Sequence, residues 1–227
     1  MPHRCVFCYI TDRRQFSGNA DSQRRQLLEK IAEAARVGVD FVQLREKDLT
    51  AHDLEQLARE AVSVVRECSP EAGSMRPGTC LSINSRSDVA LAVDADGIHM
   101  RSDDISVEDV RAIASSVRYR NSGTQASRWI VSVSCHSNDD VKKAAADHAD
   151  FAVFAPVFGK REAPDVHPAG LGLLREVCRH RIPVFALGGV TIENAASCLD
   201  AGAAGVAGIR LFQENDVAEV VARIRTQ

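Results

Sequence analysis

The stretch F-V-Q-L-R-E-K-D, residues 41–48, combines a β-strand pattern with a polar end. Alternate side chains of a strand share a face, so Gln43, Arg45 and Lys47 are predicted on one side and Val42 on the other. An amide, a guanidinium and an ammonium on one face suit an anionic ligand, although an edge strand with a solvated face has the same pattern. The rest of the chain decides between these two interpretations.

The strand within 41–48 belongs to a strand-then-helix unit that recurs along the chain. Thr50 is predicted to cap the helix after this strand, because its side chain can accept a hydrogen bond from the first helical turn. Apolar residues then recur at helical spacing. The complete series predicts eight strands, at residues 5–11, 39–45, 79–83, 96–100, 129–134, 151–155, 183–187 and 205–209.

Eight such units within 227 residues predict an α/β fold, a single (β/α)₈ TIM barrel that spans residues 1–227 as one domain. A doubly wound open sheet is the alternative fold. That fold favours a glycine-rich phosphate turn after its first strand, and the segment T-D-R-R at 11–14 contains no glycine. The sequence therefore favours the barrel.

Composition limits the classes of partner. The formal net charge is −3, so no global basic field draws the chain to nucleic acid. No apolar run approaches the roughly 20 residues of a membrane span, and the N-terminus lacks the apolar region of a signal peptide. We therefore expect small-molecule partners, with no nucleic acid and no membrane, and any anion site must be local. A homo-oligomer is possible.

The seven cysteines are an odd number without the spacing of a disulfide framework, which predicts a reducing compartment and a cytoplasmic location. Cys5 and Cys8 form a C-x-x-C pair inside a predicted strand. Their odd separation sends them to opposite faces, so neither a shared metal nor a disulfide is favoured.

In a (β/α)₈ barrel the reactive face is formed by the C-terminal ends of the strands, here called the mouth. The predicted strand ends are rich in polar and cationic groups, which favours an anion site over a solvated edge. They comprise Thr11, Gln43, Arg45, Lys47, Asn84, Ser85, His99, Asp103, Asp104, Ser132, Ser134, His136, Lys160, Arg161, Gly188, Gly189, Gly208 and Arg210.

Gly188 and Gly189 follow the seventh strand, where barrels often bind phosphate through main-chain N–H groups. Arg210, at the end of the eighth strand, can add a charge-assisted hydrogen bond. A strand-to-helix turn that needs positive φ is the alternative.

Three further groups at the predicted mouth have two interpretations each. Asp103 and Asp104 suit Mg²⁺ together with diphosphate oxygens, or they are an acidic flank of the helix that Ser106 caps. His99 is either a packed barrel histidine or a catalytic group. His136, just past the fifth strand, is better placed to contact a ligand.

Seven segments in order give a resemblance to a known family. They are V-Q-L-R-E-K-D at 42–48, I-N at 83–84, A-D-G-I-H at 95–99, V-S at 133–134, A-P-V-F at 155–158, A-L-G-G-V at 186–190 and A-G-A-A-G-V-A at 201–207. With them the chain resembles the thiamine phosphate synthase family, which includes the TenI-type thiazole tautomerases, from about residue 9 to residue 210.

The resemblance implies a (β/α)₈ barrel that joins hydroxymethylpyrimidine diphosphate to a thiazole phosphate and releases diphosphate with Mg²⁺. The positions that match the family would each bind one part of the substrates or the metal ion. Gln43, Arg45 and Lys47 would hold pyrimidine and diphosphate, Asn84 and Ser134 would assist, Asp104 would bind Mg²⁺, and Gly188 and Gly189 would take the thiazole phosphate.

The chain departs from the synthase pattern at three places. Ser85 stands where a second metal-binding Asp is usual, Arg101–Ser102 replaces Gly-Gln, and Ala163 stands where a loop Lys belongs. Ser85 is then a candidate metal ligand through a water molecule, and Lys160 or Arg161 is the candidate substitute for the missing lysine. TenI-type members carry His at the position of Pro156.

Three functions therefore stay open at this point. The first is a thiamine phosphate synthase-like transferase. The second is a TenI-like tautomerase with His136 or His99 as the acid–base group, since histidine titrates near neutral pH. The third is a non-catalytic phosphate-ligand binder or regulator of the same fold.

Overall fold

The computed structural model describes residues 4–68, 78–122, 129–159 and 167–226. Eight parallel strands form a closed barrel in chain order, and β1 pairs with β8 to close it. The strands are β1 Val6–Ile10, β2 Phe41–Leu44, β3 Cys80–Asn84, β4 Gly97–Met100, β5 Ile130–Cys135, β6 Phe151–Phe154, β7 Val184–Ala186 and β8 Gly205–Gly208. The predicted (β/α)₈ barrel is confirmed, and the open-sheet alternative is wrong.

Helices lie between and after the strands. They are α1 Ala20–Val37, α2 Ala51–Cys68, α3 Ser87–Ala92, α4 Val107–Ser122, α5 Asn138–Ala146, α6 Gly170–Val177, α7 Ala195–Asp200, α8 Arg210–Gln213 and α9 Val217–Arg225. The side chain of Thr50 accepts a hydrogen bond from Asp53 N at 3.2 Å, as the sequence predicts for the start of α2. Within the described residues, no helix has the length and apolar character to cross a membrane.

The inside of the barrel is apolar at its N-terminal end. Phe41, Phe151 and Phe185 meet there, with ring centroids 4.8 Å apart between Phe41 and Phe151 and 4.4 Å apart between Phe151 and Phe185. Cys8 faces this inner cluster, whereas Cys5 belongs to the outer core between strands and helices. The prediction that these two cysteines lie on opposite faces is confirmed. The aromatic cluster makes the lower barrel apolar, so the polar groups lie at the mouth.

Three aspartates link neighbouring strands at the N-terminal end of the barrel, and we call them the carboxylate links. Asp40, Asp96 and Asp150 each come directly before an even-numbered strand. Their Oδ2 atoms accept hydrogen bonds from main-chain N–H groups of the preceding strand: Phe7 at 2.9 Å, Leu81 at 2.8 Å and Val131 at 2.7 Å, respectively. Ala204 holds the corresponding position before β8. These links lie at the stabilising end of the barrel, far from the mouth.

Candidate active site

The ends of β2 and β3 place three of the predicted site residues together. Gln43 is buried, and its Nε2 donates a hydrogen bond to Asn84 Oδ1 at 3.1 Å. Asn84 Nδ2 in turn donates to Ser85 Oγ at 3.1 Å. Ser85 adopts a left-handed φ of 57°, unusual for a residue with a Cβ. The result is a fixed row of amide and hydroxyl groups, which suits recognition of a polar ring edge.

Arg45 and Lys47 differ in their surroundings. Arg45 is half-buried, and this burial lowers the pKa of its guanidinium. The negative charges of Asp12 and Glu46 offset part of the decrease. It stays cationic at neutral pH because the ordinary value is so high. Strand β2 ends at Leu44, so Lys47 lies exposed in the following turn. The predicted strand alternation that aligned Lys47 with Gln43 and Arg45 was therefore wrong.

His99 is packed inside the barrel. It is buried, with Nδ1 2.9 Å from Ser132 Oγ. Burial, together with the positive charge of Arg45, lowers the pKa of His99 to about 3. The ring is therefore neutral near pH 7, which supports the interpretation as a packed histidine over the acid–base alternative. Ser132 is among the residues predicted at the mouth, but its pairing with His99 was not predicted.

Ser134 and His136 follow Ser132 along β5. Ser134 is half-buried, and His136 is exposed just beyond the strand. His136 Nδ1 lies 2.8 Å from the carbonyl oxygen of Ala155. A carbonyl only accepts, so Nδ1 carries the proton in this contact and Nε2 of the neutral ring is left as an acceptor.

A cavity of about 480 Å³ lies at the ends of β7 and β8, and we call it the cup. Its lining includes Gly188, Gly189, Arg210, Gly159 and Gln15. A Cβ on Gly189 would approach the Gly159 carbonyl oxygen to 2.7 Å, and its φ is +65°, so only glycine fits here. The glycine wall lets main-chain N–H groups approach a bound anion closely.

The turn at the cup is held by a side chain from the segment that follows. Asn194 Nδ2 donates to the carbonyl oxygen of Gly189 at 2.9 Å, and Asn194 Oδ1 accepts from Thr191 N at 2.8 Å. The same asparagine therefore closes the turn from both ends. This preorganises the glycine wall before any ligand binds.

The predicted metal ligands Asp104 and Ser85 already contact other protein groups. Asp104 Oδ2 accepts from Arg101 N at 2.8 Å, and Arg101 Nε lies 3.2 Å from Asp103 Oδ1 and 3.6 Å from Asp104 Oδ1. Ser85 Oγ accepts from Asn84. In the described parts of the chain, no three His, Cys, Asp or Glu residues form a group that could hold a metal ion. These residues do not fit a preformed Mg²⁺ site, which needs about six oxygen ligands.

A buried carboxylate near the mouth was missed by sequence reasoning. The side chain of Glu46 is 1% exposed and accepts hydrogen bonds from Thr11 Oγ1 at 2.6 Å and Arg13 N at 3.0 Å. The guanidinium of Arg13 bridges Glu46, at 3.1 Å, and Asp48, at 2.6 and 2.9 Å. Burial raises the pKa of Glu46, and these hydrogen bonds oppose the increase. A polar Thr11 at the end of an apolar strand was the available sequence signal.

The remaining predicted residues divide into two groups. Arg210 lines the cup, as expected from its position after β8. Lys160, the candidate substitute for the missing loop lysine, lies outside the described residues, as do Arg161 and Ala163.

Comparison with known proteins gives a consistent result over nearly the whole chain. Residues 8–212 match the family model described as thiamine monophosphate synthase. A putative thiamine-phosphate synthase 2 of Aquifex aeolicus is 35% identical, over 90% of this chain and 96% of that protein. A putative thiamine-phosphate synthase of Geobacter sulfurreducens is 38% identical, over 87% of this chain and 82% of that protein.

Solved structures agree with the sequence matches. A thiamine phosphate pyrophosphorylase from Pyrococcus furiosus superposes with a TM-score of 0.75 and 26% identity, covering 99% of this chain and 96% of that one. A 3-hexulose-6-phosphate synthase matches with a TM-score of 0.59 at 17% identity, covering 98% of each chain, which supports the barrel fold alone.

Proposed function

Because the chain belongs to the thiamine monophosphate synthase family, we propose that its barrel mouth joins hydroxymethylpyrimidine diphosphate to a thiazole phosphate and releases diphosphate. The chain is thus a transferase of thiamine biosynthesis. The observation that supports the proposal is that two different walls suited to anions lie at one mouth. A polar, cationic wall at the ends of β2 and β3 holds Gln43, Arg45 and Asn84, and the glycine cup lies at the ends of β7 and β8.

The polar wall suits the departure of diphosphate. The bond between the pyrimidine methylene carbon and the diphosphate oxygen breaks, and its electron pair leaves with the oxygen. Arg45 and Lys47 would stabilise this growing negative charge. Gln43 and Asn84 would hold the pyrimidine, and Ser134 would assist. A neutral His99 would add no repulsive charge to the cation that develops on the methylene carbon.

The cup suits the second substrate. Main-chain N–H groups at Gly188 and Gly189 would bind the thiazole phosphate, and Arg210 would add a charge-assisted hydrogen bond. The lone pair of the thiazole nitrogen then forms the new carbon–nitrogen bond. This step involves no proton transfer, so no general acid or base is required.

Magnesium is expected to reach the mouth only together with diphosphate, because among the described residues the predicted ligands are Asp104 and the hydroxyl of Ser85, which form no preformed site. Titration calorimetry with Mg²⁺ alone should show no binding at micromolar protein, and binding should become measurable when inorganic diphosphate is added. Tight Mg²⁺ binding to the unliganded protein would contradict this expectation.

The proposed function is tested by measuring thiamine phosphate formation and diphosphate release from the two substrates. Equal amounts of the two products are expected. Arg45→Gln should lower kcat/KM by about 10²-fold or more, since it removes a charge aimed at the leaving group. Arg24→Gln is the matched control, because it removes a surface ion pair with Glu60 between α1 and α2. Well-folded protein that releases no diphosphate would overturn the proposal.

One observation favours a second candidate function, a thiazole tautomerase. The contact of His136 Nδ1 with the Ala155 carbonyl fixes a tautomer whose Nε2 can accept a proton. Conversion of a carboxythiazole phosphate tautomer without diphosphate release, lost in His136→Gln, would support that function. Saturable phosphate binding without either reaction would instead indicate a non-catalytic binder.

Three further expectations accompany the proposal. Lys160 is proposed to supply a further cation to the leaving diphosphate. A cytoplasmic location is expected from the odd number of cysteines. Formation of a homo-oligomer is tested by measuring the molar mass in solution by light scattering.

A further inference from the structure

The segment at 11–15, after β1, is tied to the wall that holds Arg45. Thr11 Oγ1 accepts a hydrogen bond from Arg45 N at 2.9 Å and donates one to Glu46 Oε1 at 2.6 Å. Glu46 also accepts from Arg13 N at 3.0 Å. The main-chain N–H of Arg45 and the side chain of the next residue, Glu46, are therefore held by the segment after β1, beyond the end of β2 at Leu44.

The same segment is tied on its other side to the element that follows β8. Asp12 N donates to Gln213 Oε1 at 2.9 Å, and Gln213 Nε2 donates back to the Asp12 carbonyl oxygen at 3.0 Å. Gln213 is the last residue of α8, whose first residue, Arg210, lines the cup. Gln15 lines the cup as well. One short segment thus touches both anion-binding walls.

We propose that residues 11–15 form a brace that fixes the spacing between the two walls, with Thr11, Glu46 and Gln213 as positioning residues. This inference rests on the proposed function, in which each wall holds one of two substrates that must react with each other. Such a reaction depends on alignment, and a displacement of about 1 Å can lower the rate by about 10²-fold.

The chemistry of each positioning residue explains why its type matters. Thr11 accepts from one neighbour and donates to the other, which a hydroxyl does and an alkyl group of the same size cannot. Gln213 pairs with both the N–H and the carbonyl of Asp12, which a side-chain amide does and a carboxylate or alkyl group cannot. Glu46 is buried and accepts only, which suits the three donors around it.

The two ends of the brace should respond differently to substitution. Thr11→Val should raise KM for the pyrimidine diphosphate by about tenfold, because Arg45 N loses its hydrogen bond to the hydroxyl. Thr11→Ser keeps the hydroxyl and should have the KM of the parent protein. Gln213→Leu should lower kcat by about tenfold and leave the affinities for inorganic phosphate and inorganic diphosphate within about twofold of the parent protein. Glu46→Gln should behave like Thr11→Val.

Melting temperatures and calorimetric titrations with the two inorganic anions accompany the kinetics, and Arg24→Gln serves as the control. Parent-like kcat and KM in both Thr11→Val and Gln213→Leu would overturn the brace. So would a loss of both anion affinities in folded Gln213→Leu, because each wall would then depend on Gln213 locally. A parent protein that binds neither anion would instead contradict the proposed function on which the brace depends.

Discussion

At the scale of single residues, His99 gives the barrel a defined acid sensitivity. Its pKa is about 3 in the folded protein and about 6.5 in an unfolded chain. Between these values the unfolded chain binds a proton that the folded protein does not. The free energy of unfolding is therefore not reduced by His99 above pH 6.5. Between pH 6.5 and pH 3 it falls by about 1.4 kcal/mol for each pH unit of acidification.

His99→Asn should reduce this dependence, because asparagine is neutral at every pH. Urea unfolding of both proteins at pH 7, 5.5 and 4.5 measures the free energy of unfolding. The variant is expected to lose less stability than the parent between pH 7 and pH 4.5. Equal slopes in the two proteins would mean that His99 is protonated in the folded barrel.

Gly189 is the second residue with a specific requirement. Gly189→Ala must place a Cβ against Gly159 and Phe158 at a positive φ, so it should cost about 1–3 kcal/mol and weaken phosphate binding at the cup. Gly172→Ala, inside α6 where a Cβ meets nothing within 4 Å, should instead stabilise the protein by about 0.5–1 kcal/mol. Thermal unfolding and phosphate titration of the two variants provide the comparison.

At the scale of elements, the carboxylate links hold neighbouring strands in register. Asp96 Oδ2 accepts from Leu81 N, and Asp96 N donates to the Leu81 carbonyl oxygen at 2.9 Å, so the two residues pair in both directions. Asp96→Ala leaves the N–H of a buried strand without its acceptor and should cost about 1–3 kcal/mol. Asp103→Ala, at a side chain that is 73% exposed, should change stability by less than about 0.5 kcal/mol. Chemical denaturation measures both.

Element prediction from the sequence succeeded where periodicity was long and failed where side chains decided the outcome. Thr50 caps α2 as predicted, because the cap and the apolar spacing of this 18-residue helix agree. β2 ends one residue early because Glu46 turns towards Thr11 and Arg13, which lie more than 30 residues away in the chain. α8 was missed because four residues give no periodicity.

At the scale of the whole molecule, the barrel followed from the repeating units, and the site followed only in part. The family motifs located Gln43, Arg45 and Asn84, and the structure joins Gln43 to Asn84 directly. The brace and the partner of His99 depend on contacts between distant segments, which no local pattern encodes. The predicted metal ligands illustrate the same limit, since the contact between Arg101 and Asp104 is a matter of loop geometry.

The carboxylate links join some neighbouring strands of the barrel but not others. Three pairs of strands, β1–β2, β3–β4 and β5–β6, are joined by an aspartate, whereas Ala204 offers no carboxylate to the amide of Val184 at the β7–β8 seam. Local opening should therefore be easier at this seam, directly below the cup, than at the three linked pairs. Hydrogen exchange followed by NMR should find the Val184 amide less protected than those of Leu81 and Val131, and phosphate bound in the cup should slow its exchange.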